Sequence, residues 1–315
     1  MDKIQKIFDE INKKSGQKIG FIGERKEITA ITTGVENLDF DIGCGGYPRG
    51  RIIEIFGREG ASKTSLSLHG IAQAQAAGLS CLFVDAENTL DFDLAESLGV
   101  DINKLAIVYP SYGEEAIETI EKLLLQGAVD YIVIDSIPSL RPLSELEADV
   151  NKPNFGGLAK MWSAAVYRLV PLLARQQAIM ILINQVRANM MGGQFDPFVT
   201  PGGHAIKFHA SVRLQISKKG VIKGEGGDTI GYQVGYKVKK TKMSKYNNED
   251  TMNYFFGKGF EGQPDLLSIG LRANLIERSG NTYLYNGEKI AIGKEKALDA
   301  ILQNPELSQV IKDSL

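Results

Sequence analysis

The residues from 57 to 64, GREGASKT, have almost the pattern of a phosphate-binding loop. They stand directly after an apolar run and directly before a helical one, so backbone N–H groups and a helix N-terminus would surround the phosphates of a nucleotide. In this pattern Lys63 reaches the β- and γ-phosphates, and the hydroxyl of Thr64 binds Mg²⁺. The residues predicted to contact the nucleotide are Gly57, Arg58, Glu59, Gly60, Ala61, Ser62, Lys63, Thr64 and Ser65.

Ser62 departs from the pattern, which has glycine at this position. Because of this departure, a chance glycine-rich turn is the alternative to a phosphate-binding loop. The Cβ of Ser62 would crowd the place where the backbone approaches phosphate. Its hydroxyl could instead donate to a phosphate oxygen or cap the following helix, because serine is a favoured N-cap residue. The two effects oppose each other, and we expect the crowding to dominate.

Polar residues follow three further strand-like runs. Asp135 follows Tyr-Ile-Val-Ile and fits a Walker B carboxylate, which holds Mg²⁺ through water. Glu87 follows the run 82–85 at the edge where such sheets bind ligands, and it could activate the attacking water. A solvated surface glutamate is the alternative for Glu87. Gln185 follows the run 179–184 and could hydrogen-bond the γ-phosphate.

Two long segments and one charged segment are candidates for binding a further partner. Residues 147–157 and 186–203 lack clear periodicity, and loops of this length inside a domain are usually functional or disordered. Eight lysines stand between Lys218 and Lys245 against two acidic residues, in a chain of net charge −2. This local excess suits contact with phosphate groups, and a solvated strand face is the alternative.

The elements that must position these residues alternate between apolar strands and helices. Such alternation predicts a mostly parallel sheet covered on both faces. The predicted strands are 51–56, 82–85, 105–109, 131–135 and 179–184, and the predicted helices are 64–75, 114–126 and 158–175. The runs 212–216 and 232–240 predict an antiparallel extension of the sheet. From about residue 257 we expect a small α/β unit, with Asn286-Gly287 as a hairpin turn.

The first fifteen residues predict an amphipathic helix. Ile4, Ile7, Phe8 and Ile11 recur at helical spacing and form one apolar face. Spacing alone favours packing of this face on the chain's own domain, and packing on a second protomer is the sharper alternative.

Composition excludes several classes of protein. Two cysteines, Cys44 and Cys81, provide no disulfide framework and no zinc spacing, which favours a reducing compartment. The first residues are too charged for a signal peptide, and no run of 18 or more apolar residues predicts a membrane span. We therefore expect a cytoplasmic protein.

Taken in order, the motifs resemble those of the bacterial RecA recombinase family, from about residue 3 to residue 312. The segments that carry the resemblance are ITTGVENLD, GRIIEIFGREGASKT, CLFVDAENTLD, GAVDYIVIDSI, ILINQVR, GGHAIKFHASVRL and LIERSGNTYLYNGEKI. Several are long and lie in the family's order, so the match is far more specific than a phosphate loop alone.

The resemblance implies an α/β fold with a RecA-type P-loop ATPase core and a mostly parallel central sheet. It implies an N-terminal polymerisation helix and linker (1–27), the ATPase core with DNA-binding loops (28–256) and a small C-terminal α/β domain (257–315). The implied activity is DNA-dependent ATP hydrolysis coupled to homologous pairing and strand exchange, with ATP and Mg²⁺ as cofactors. The implied partners are single-stranded DNA, homologous double-stranded DNA, further copies of the chain in a helical filament, and single-strand-binding and mediator proteins, in a bacterial cell or a phage-infected host.

The resemblance also implies roles for individual residues. Glu87 would be the catalytic carboxylate and Gln185 the γ-phosphate sensor, while Lys240 and Lys242 would reach ATP on the adjacent subunit. Asp91 would meet the adenine amino group. The implied DNA-binding residues are Phe155, Gly156, Lys160, Arg187, Phe195, Gly202 and Gly203, and the implied interface residues are Ile4, Ile7, Phe8, Ile11 and Phe208.

Some positions depart from the family pattern. Leu94 stands where the family has an adenine-stacking tyrosine, Gln194 stands at the aromatic position of the second loop with Phe195 next to it, and no acidic tail follows Leu315. With Ser62, these departures indicate a divergent member, of cellular or phage origin.

Two other functions remain open on the residues. Ser62 favours a nucleotide-gated DNA scaffold, which would bind ATP but hydrolyse ATP poorly. A replicative helicase would share the core, although the N-terminal helix, the C-terminal unit and the long matching segments argue against it.

Overall fold

The structure, a computed structural model, describes residues 2–16, 23, 28–148, 156–188, 198–244, 248–260 and 266–313. Its helices are α1 (Asp2–Ser15), α2 (Glu36–Ile42), α3 (Lys63–Ala76), α4 (Phe92–Ser97), α5 (Gly113–Leu125), α6 (Leu143–Leu146), α7 (Gly157–Gln176), α8 (Gly203–His209), α9 (Leu266–Arg272), α10 (Lys294–Leu302) and α11 (Pro305–Lys312). Its strands are β1 (Ala30–Ile31), β2 (Tyr47–Pro48), β3 (Ile52–Gly57), β4 (Cys81–Asp85), β5 (Leu105–Val108), β6 (Tyr131–Asp135), β7 (Ile179–Gln185), β8 (Arg187–Ala188), β9 (Phe198–Val199), β10 (Val212–Lys223), β11 (Thr229–Thr241), β12 (Glu249–Phe255), β13 (Gly259–Phe260), β14 (Ile276–Ser279), β15 (Thr282–Tyr285) and β16 (Glu288–Ile292).

The central sheet has nine strands in the order β13-β12-β11-β10-β3-β7-β6-β4-β5. The six strands from β10 to β5 are mutually parallel, and β11, β12 and β13 continue the sheet in antiparallel pairing. The prediction of a mostly parallel sheet with an antiparallel extension is therefore confirmed. The predicted strands and helices are all present, and most ends differ by at most two residues. The exceptions are β10, which continues seven residues past the predicted end at 216, and β11, which begins three residues before the predicted start at 232.

Helices cover both faces of this sheet because its central strands are apolar on both sides. Ile53 and Ile55 of β3 point to the face that α3 covers, where they join a core with Leu66 and Ile71. Neighbouring positions point to the opposite face and form a second core with α5 and α7, which includes the fully buried Trp162. Alternation along each strand thus produces three layers, helix on sheet on helix.

The C-terminal elements have a core of their own. Helices α9, α10 and α11 pack against the three-stranded sheet β14-β15-β16 around side chains such as Leu267, Tyr283 and Ile301. The β15–β16 turn has positive φ at Asn286 (52°) and Gly287 (80°), as a two-residue hairpin turn requires, so that prediction is confirmed.

An ionic joint, formed by Arg272, Asp41 and Asp250, connects the C-terminal elements to the core. The Arg272 guanidinium at the end of α9 donates to the fully buried Asp41 of α2 and, at 2.9 Å, to Asp250 of β12. Asp41 also accepts hydrogen bonds from the Tyr236 hydroxyl at 2.7 Å and the Asn248 amide at 2.8 Å. Burial raises the pKa of Asp41, and Arg272 opposes that rise. Arg272 is therefore the counter-ion of the buried Asp41 carboxylate.

The apolar face of α1 is exposed, and no residue of this helix is buried. Ile7 retains 53% of its surface in contact with solvent, Ile4 and Ile11 are also exposed, and only Phe8 is half-buried. The packing of this face on the chain's own domain, which spacing alone favours, is therefore not found among the described residues. No described helix is both long enough and apolar enough to span a bilayer.

Replacing Arg272 with methionine is expected to lower the free energy of unfolding by about 3 kcal/mol, because Asp41 then stays buried without its counter-ion. Adding Asp41→Asn should restore part of the loss, since the amide removes the uncompensated charge. Urea unfolding followed by circular dichroism measures both changes.

The matched control is Arg278→Met in the same C-terminal unit, where Arg278 is exposed, donates to the Gly280 carbonyl oxygen at 2.9 Å and lies 5.7 Å from the centre of the Tyr283 ring, with no buried carboxylate as partner among the described contacts. This control should alter the free energy of unfolding by less than about 0.5 kcal/mol. Equal stability of Arg272→Met and the parent would show that the joint contributes nothing.

Candidate functional site

Four strands deliver their last residues to the same edge of the central sheet. Gly57 of β3 pairs with Gln185 of β7, and Asp85 of β4 pairs with Asp135 of β6. Since β6 and β7 are also paired in parallel, these four residues form a row at the carboxyl ends of the strands. This is the edge at which open α/β sheets bind ligands.

The phosphate-loop residues connect β3 to α3. A Cβ at Gly57 would lie 2.2 Å from the Ile216 carbonyl oxygen of β10, so this position has no room for a side chain. Gly60 has a φ of +68°, which glycine adopts at little cost. Helix α3 begins at Lys63 and continues for 14 residues, so its first N–H groups face the loop. The predicted strand–loop–helix context is confirmed.

Ser62 adopts a left-handed conformation, with φ 62° and ψ 30°, at the start of α3. Its side chain makes no capping hydrogen bond to the helix, so the interpretation of this residue as a helix cap is wrong. A left-handed residue with a Cβ costs about 1–2 kcal/mol relative to the right-handed conformation, and glycine avoids that cost. The conformation explains why the pattern has glycine here.

Lys63, Thr64 and Asp135 lie together behind the loop. The Lys63 ammonium group donates to the Arg58 carbonyl oxygen at 2.8 Å, and the Thr64 hydroxyl donates to the Asp135 carboxylate at 2.6 Å. Burial lowers the pKa of Lys63, against the attraction of Asp135, Glu87 and Glu59. Burial raises the pKa of Asp135 to about 6, and the hydrogen bond from Thr64 opposes the rise. A hydroxyl and a carboxylate oxygen in contact are a donor set that fits Mg²⁺, a cation that takes oxygen ligands.

Glu87 is exposed to solvent, and two serine hydroxyls hold its carboxylate. Ser136, directly after β6, donates to Glu87 at 2.5 Å, and Ser139 donates to the same oxygen at 3.1 Å. The turn that carries Glu87 is fixed from below by Asp85, whose buried carboxylate accepts backbone N–H groups of Glu87, Thr89 and Leu90 at 3.0–3.3 Å. These contacts orient Glu87 towards the row of strand ends, whereas a merely solvated glutamate would have no such partners.

Lys240 lies away from its own phosphate loop. It pairs with Arg213 of β10, which pairs in turn with Glu54 of β3, three residues or about 10 Å along the strand before Gly57. Its ammonium group donates at 2.8 Å to the carbonyl oxygens of Lys207 and Phe208 at the end of α8. Burial lowers the pKa of Lys240, and Lys242 and Arg213 lower it further.

Lys242 is exposed and stands one residue beyond the end of β11. Although the two lysines are only two residues apart, they therefore do not lie on one strand. Its backbone N–H donates to the Ser211 carbonyl at 2.9 Å, which keeps it close to the start of β10.

Parts of both predicted DNA-binding loops lie outside the described residues, among them Phe155, Gln194 and Phe195. At the end of the first loop, Gly156 has φ 91° and precedes α7, which carries the exposed Lys160. Strands β8 and β9 pair to form the stem of the second loop, with the exposed Arg187 opposite Val199.

Gly202 (φ 90°) and Gly203 (φ 78°) follow the second loop at the start of α8. The Arg58 guanidinium of the phosphate loop lies 5.4 Å from the centre of the Phe198 ring in the stem. The phosphate loop and the second loop are therefore in contact.

The remaining predicted residues occupy separate positions. Asp91 caps α4 by accepting the Leu94 N–H at 2.9 Å, and Ser65 is buried in the first turn of α3. Phe208 is 73% exposed and its ring contacts the His209 ring edge-on, and Tyr167 contacts His209 in the same way. The interface role of Phe208 stays a prediction.

Sequence reasoning missed the polar residues beneath the site. Glu54, Arg213 and Asn184 form a buried network under Gln185, and Asp85 and the two serines hold Glu87. A signal was present for Glu54 and Asn184, because each is a polar residue inside an apolar run that becomes a fully buried strand.

Comparisons with known proteins agree with this arrangement. A family model described as the RecA N-terminal domain matches residues 2–261, and one described as the RecA C-terminal domain matches residues 264–315. The chain is also 40% identical over 311 residues to a protein named "Protein RecA" from Wigglesworthia glossinidia brevipalpis, which covers 98% of this chain and 94% of that protein.

Ser62→Gly is expected to tighten ATP binding severalfold and to leave the fold intact. Glycine removes both the strain of the left-handed conformation and the Cβ next to the phosphates, and no capping hydrogen bond is lost. Titration with a fluorescent ATP analogue measures the affinity, and thermal unfolding measures the stability.

Ser62→Ala is the control, because it keeps the Cβ and removes the hydroxyl. It should bind ATP like the parent. Weaker binding by both variants would show instead that the hydroxyl contacts the nucleotide.

Proposed function

We propose, on the premise that this chain belongs to the RecA family of recombinases, that it hydrolyses ATP at the interfaces between protomers of a filament. Family membership gives the general activity: the chain is a DNA-dependent ATPase that forms filaments on DNA and catalyses homologous pairing and strand exchange. The match over nearly the whole chain favours this function over a helicase. The observation that carries the proposal is that Lys63, Asp135 and Glu87 meet within one protomer while Lys240 lies elsewhere.

One protomer supplies the phosphate-binding half of the site. Lys63 neutralises charge on the β- and γ-phosphates, and the N-terminus of α3 adds backbone donors. Thr64 would hold Mg²⁺ directly and Asp135 would hold it through water, and the ion would supply positive charge against the phosphates. Glu87, held by Ser136 and Ser139, orients and deprotonates the attacking water.

The adjacent protomer supplies Lys240 and Lys242. In a single protomer Lys240 is bound by the last carbonyl groups of α8 and stands about 10 Å along the sheet from the phosphate loop. The neighbouring copy would bring the lysines to the γ-phosphate, and Phe208, whose carbonyl accepts from Lys240, would enter the same interface. Asp91 would accept from the adenine amino group through the oxygen that does not cap α4.

DNA contacts are assigned to the two loops and to the residues beside them. Gly156 lies at the end of the first loop and Lys160 follows it, while Arg187 lies near the start of the second loop and Gly202 and Gly203 lie at its end. With Phe155 and Phe195, these residues would bind single-stranded DNA and admit a homologous duplex for pairing. Because the net charge is −2, such binding depends on local cations, which the lysines of β10 and β11 add.

The setting follows from this function. The protein would act in the cytoplasm of a bacterial cell or of a phage-infected host, which fits its two free cysteines. Proteins that bind single strands and proteins that load the recombinase would be its partners.

A mixing experiment tests the shared site. Glu87→Gln and the pair Lys240→Ala with Lys242→Ala should each lower DNA-stimulated ATP hydrolysis by about 10²–10⁴-fold when assayed alone. In a filament of both variants, about one quarter of the head-to-tail interfaces combine an intact Glu87 with intact lysines. Hydrolysis should therefore recover to up to about a quarter of the parent rate, as phosphate release measures.

The matched control mixes Glu87→Gln with Lys63→Ala. Both residues belong to the same half of the site, so no interface in that mixture contains both intact groups and no recovery is expected. If the two mixtures co-assemble and behave alike, the lysines do not act across the interface.

Removal of residues 1–15 should abolish large assemblies without unfolding the protein. No α1 residue is buried, so the melting temperature should change by less than about 2 °C, while sedimentation with DNA and a slowly hydrolysed ATP analogue should give only small species.

A matched pair of point variants locates the effect on the apolar face. Ile7→Ser with Ile11→Ser should weaken assembly, and Lys6→Ser with Glu10→Ser should not. Filaments of normal length after the truncation would exclude α1 from the interface.

A further inference from the structure

Glu54 is a buried carboxylate in the middle of β3, next to the phosphate loop. It is completely inaccessible to solvent, and it accepts hydrogen bonds from two directions. One oxygen accepts from the Arg213 guanidinium of β10, and the other accepts from the Asn184 amide of β7 at 2.9 Å. A buried carboxylate is tolerated only with such partners, so Glu54 fixes the positions of both.

Asn184 is also fully buried, and its side chain uses both its amide group and its carbonyl. The amide nitrogen donates to Glu54 and, at 3.0 Å, to the Pro201 carbonyl oxygen. The side-chain oxygen accepts the backbone N–H of Gln185 at 2.9 Å. One side chain therefore connects the phosphate-loop strand, the backbone of Gln185 and the residue that ends the second loop.

The bond to Pro201 closes the base of the second loop. The loop leaves β7 at Val186, forms the stem β8–β9 and returns to Pro201, directly before Gly202 and α8. At its start, the Val186 N–H donates to the Gly57 carbonyl at 3.4 Å. A displacement of the Gln185 backbone must therefore move Asn184, and Asn184 is bonded to the other end of the loop.

We propose that Asn184 is a positioning residue that couples the nucleotide site to the second loop through its hydrogen bond to Pro201. The inference rests on the proposed function, in which Gln185 contacts the γ-phosphate and this loop binds single-stranded DNA. Asn184 touches neither ligand. When Gln185 contacts the γ-phosphate, the Asn184 amide holds the base of the second loop in one arrangement. Because coupling between two binding sites is reciprocal, DNA bound to the loop favours the position of Gln185 that contacts the phosphate.

Asparagine is the residue type that this role requires. Aspartate would lose both donors and would place a second carboxylate against Glu54. Leucine would remove the partner of the Gln185 N–H and of the Pro201 carbonyl, and it would leave Glu54 with Arg213 alone. Only a primary amide of this length donates twice and accepts once at these positions.

An exchange of the Glu54 and Asn184 functional groups separates the Pro201 bond from the rest of the network. In the double variant Glu54→Gln with Asn184→Asp, the introduced amide would accept from Arg213 and donate to the introduced carboxylate. That carboxylate would still accept from the Gln185 N–H. The total charge is unchanged, and the Pro201 carbonyl alone loses its donor. Glu54→Gln by itself is the control, because Asn184 then keeps its bonds to Gln185 and Pro201.

The readout is the ratio of single-stranded DNA affinity with and without a slowly hydrolysed ATP analogue, measured by fluorescence anisotropy on the full chain. The double variant should lose about tenfold or more of this enhancement, while its ATP affinity without DNA stays within about threefold of the parent. The control Glu54→Gln should melt at a lower temperature, because it disturbs the contact with Arg213, and should keep the enhancement.

Several outcomes would overturn the proposal. Full enhancement in the double variant would show that the Pro201 bond transmits nothing, and an equal loss in Glu54→Gln would assign the effect to stability. If the double variant does not fold, Asn184→Ala removes the same donor with a smaller side chain, and retained enhancement there overturns the proposal as well. If the parent protein binds single-stranded DNA with the same affinity with and without the ATP analogue, the proposed function fails together with this inference. The other outcomes leave the proposed function intact.

Discussion

Parallel pairing in register fixes where β3, β7, β6 and β4 end, and the site depends on that register. Gly57, Gln185, Asp135 and Asp85 belong to distant parts of the chain, and they lie near one another because their strands are parallel and end at the same edge of the sheet. A slip of one residue between any two strands would turn the functional group to the opposite face of the sheet. The two apolar cores, one on each face, resist such a slip because every buried position would change sides.

Local pattern was sufficient to predict the motifs and most of the framework. The apolar runs and the turn residues gave the strands, the helices and the Asn286-Gly287 hairpin, because each depends on neighbours in sequence. The phosphate loop, Asp135 and Glu87 could be placed at one edge because parallel strands impose it. The roles of single residues at the protomer interface and on DNA stay predictions, since a single chain contains neither ligand nor neighbour.

Local pattern could not predict the hydrogen-bond and ion-pair partners that are distant in sequence. Glu54 meets Asn184 and Arg213, and Asp41 meets Arg272, across more than a hundred residues. Nor does sequence give the backbone conformation of Ser62, because serine is ordinarily a good helix cap and only the left-handed φ prevents that role here. The exposure of the apolar face of α1 could not be predicted from the sequence either. Amphipathic spacing is the same whether the face packs on its own chain or on another protein.

Arg272 constrains how this protein could exchange segments with its relatives. A chimera that joined the core of this chain to the C-terminal unit of another family member would need an arginine at the same place, because Asp41 is buried in the core and Asp250 lies beside it. Without that arginine the hybrid would inherit two acidic groups and no cation between them. The peptide linkage between the two units does not restrict such an exchange, but the ionic joint does. A successful graft must therefore carry Arg272, Asp41 and Asp250 as a set.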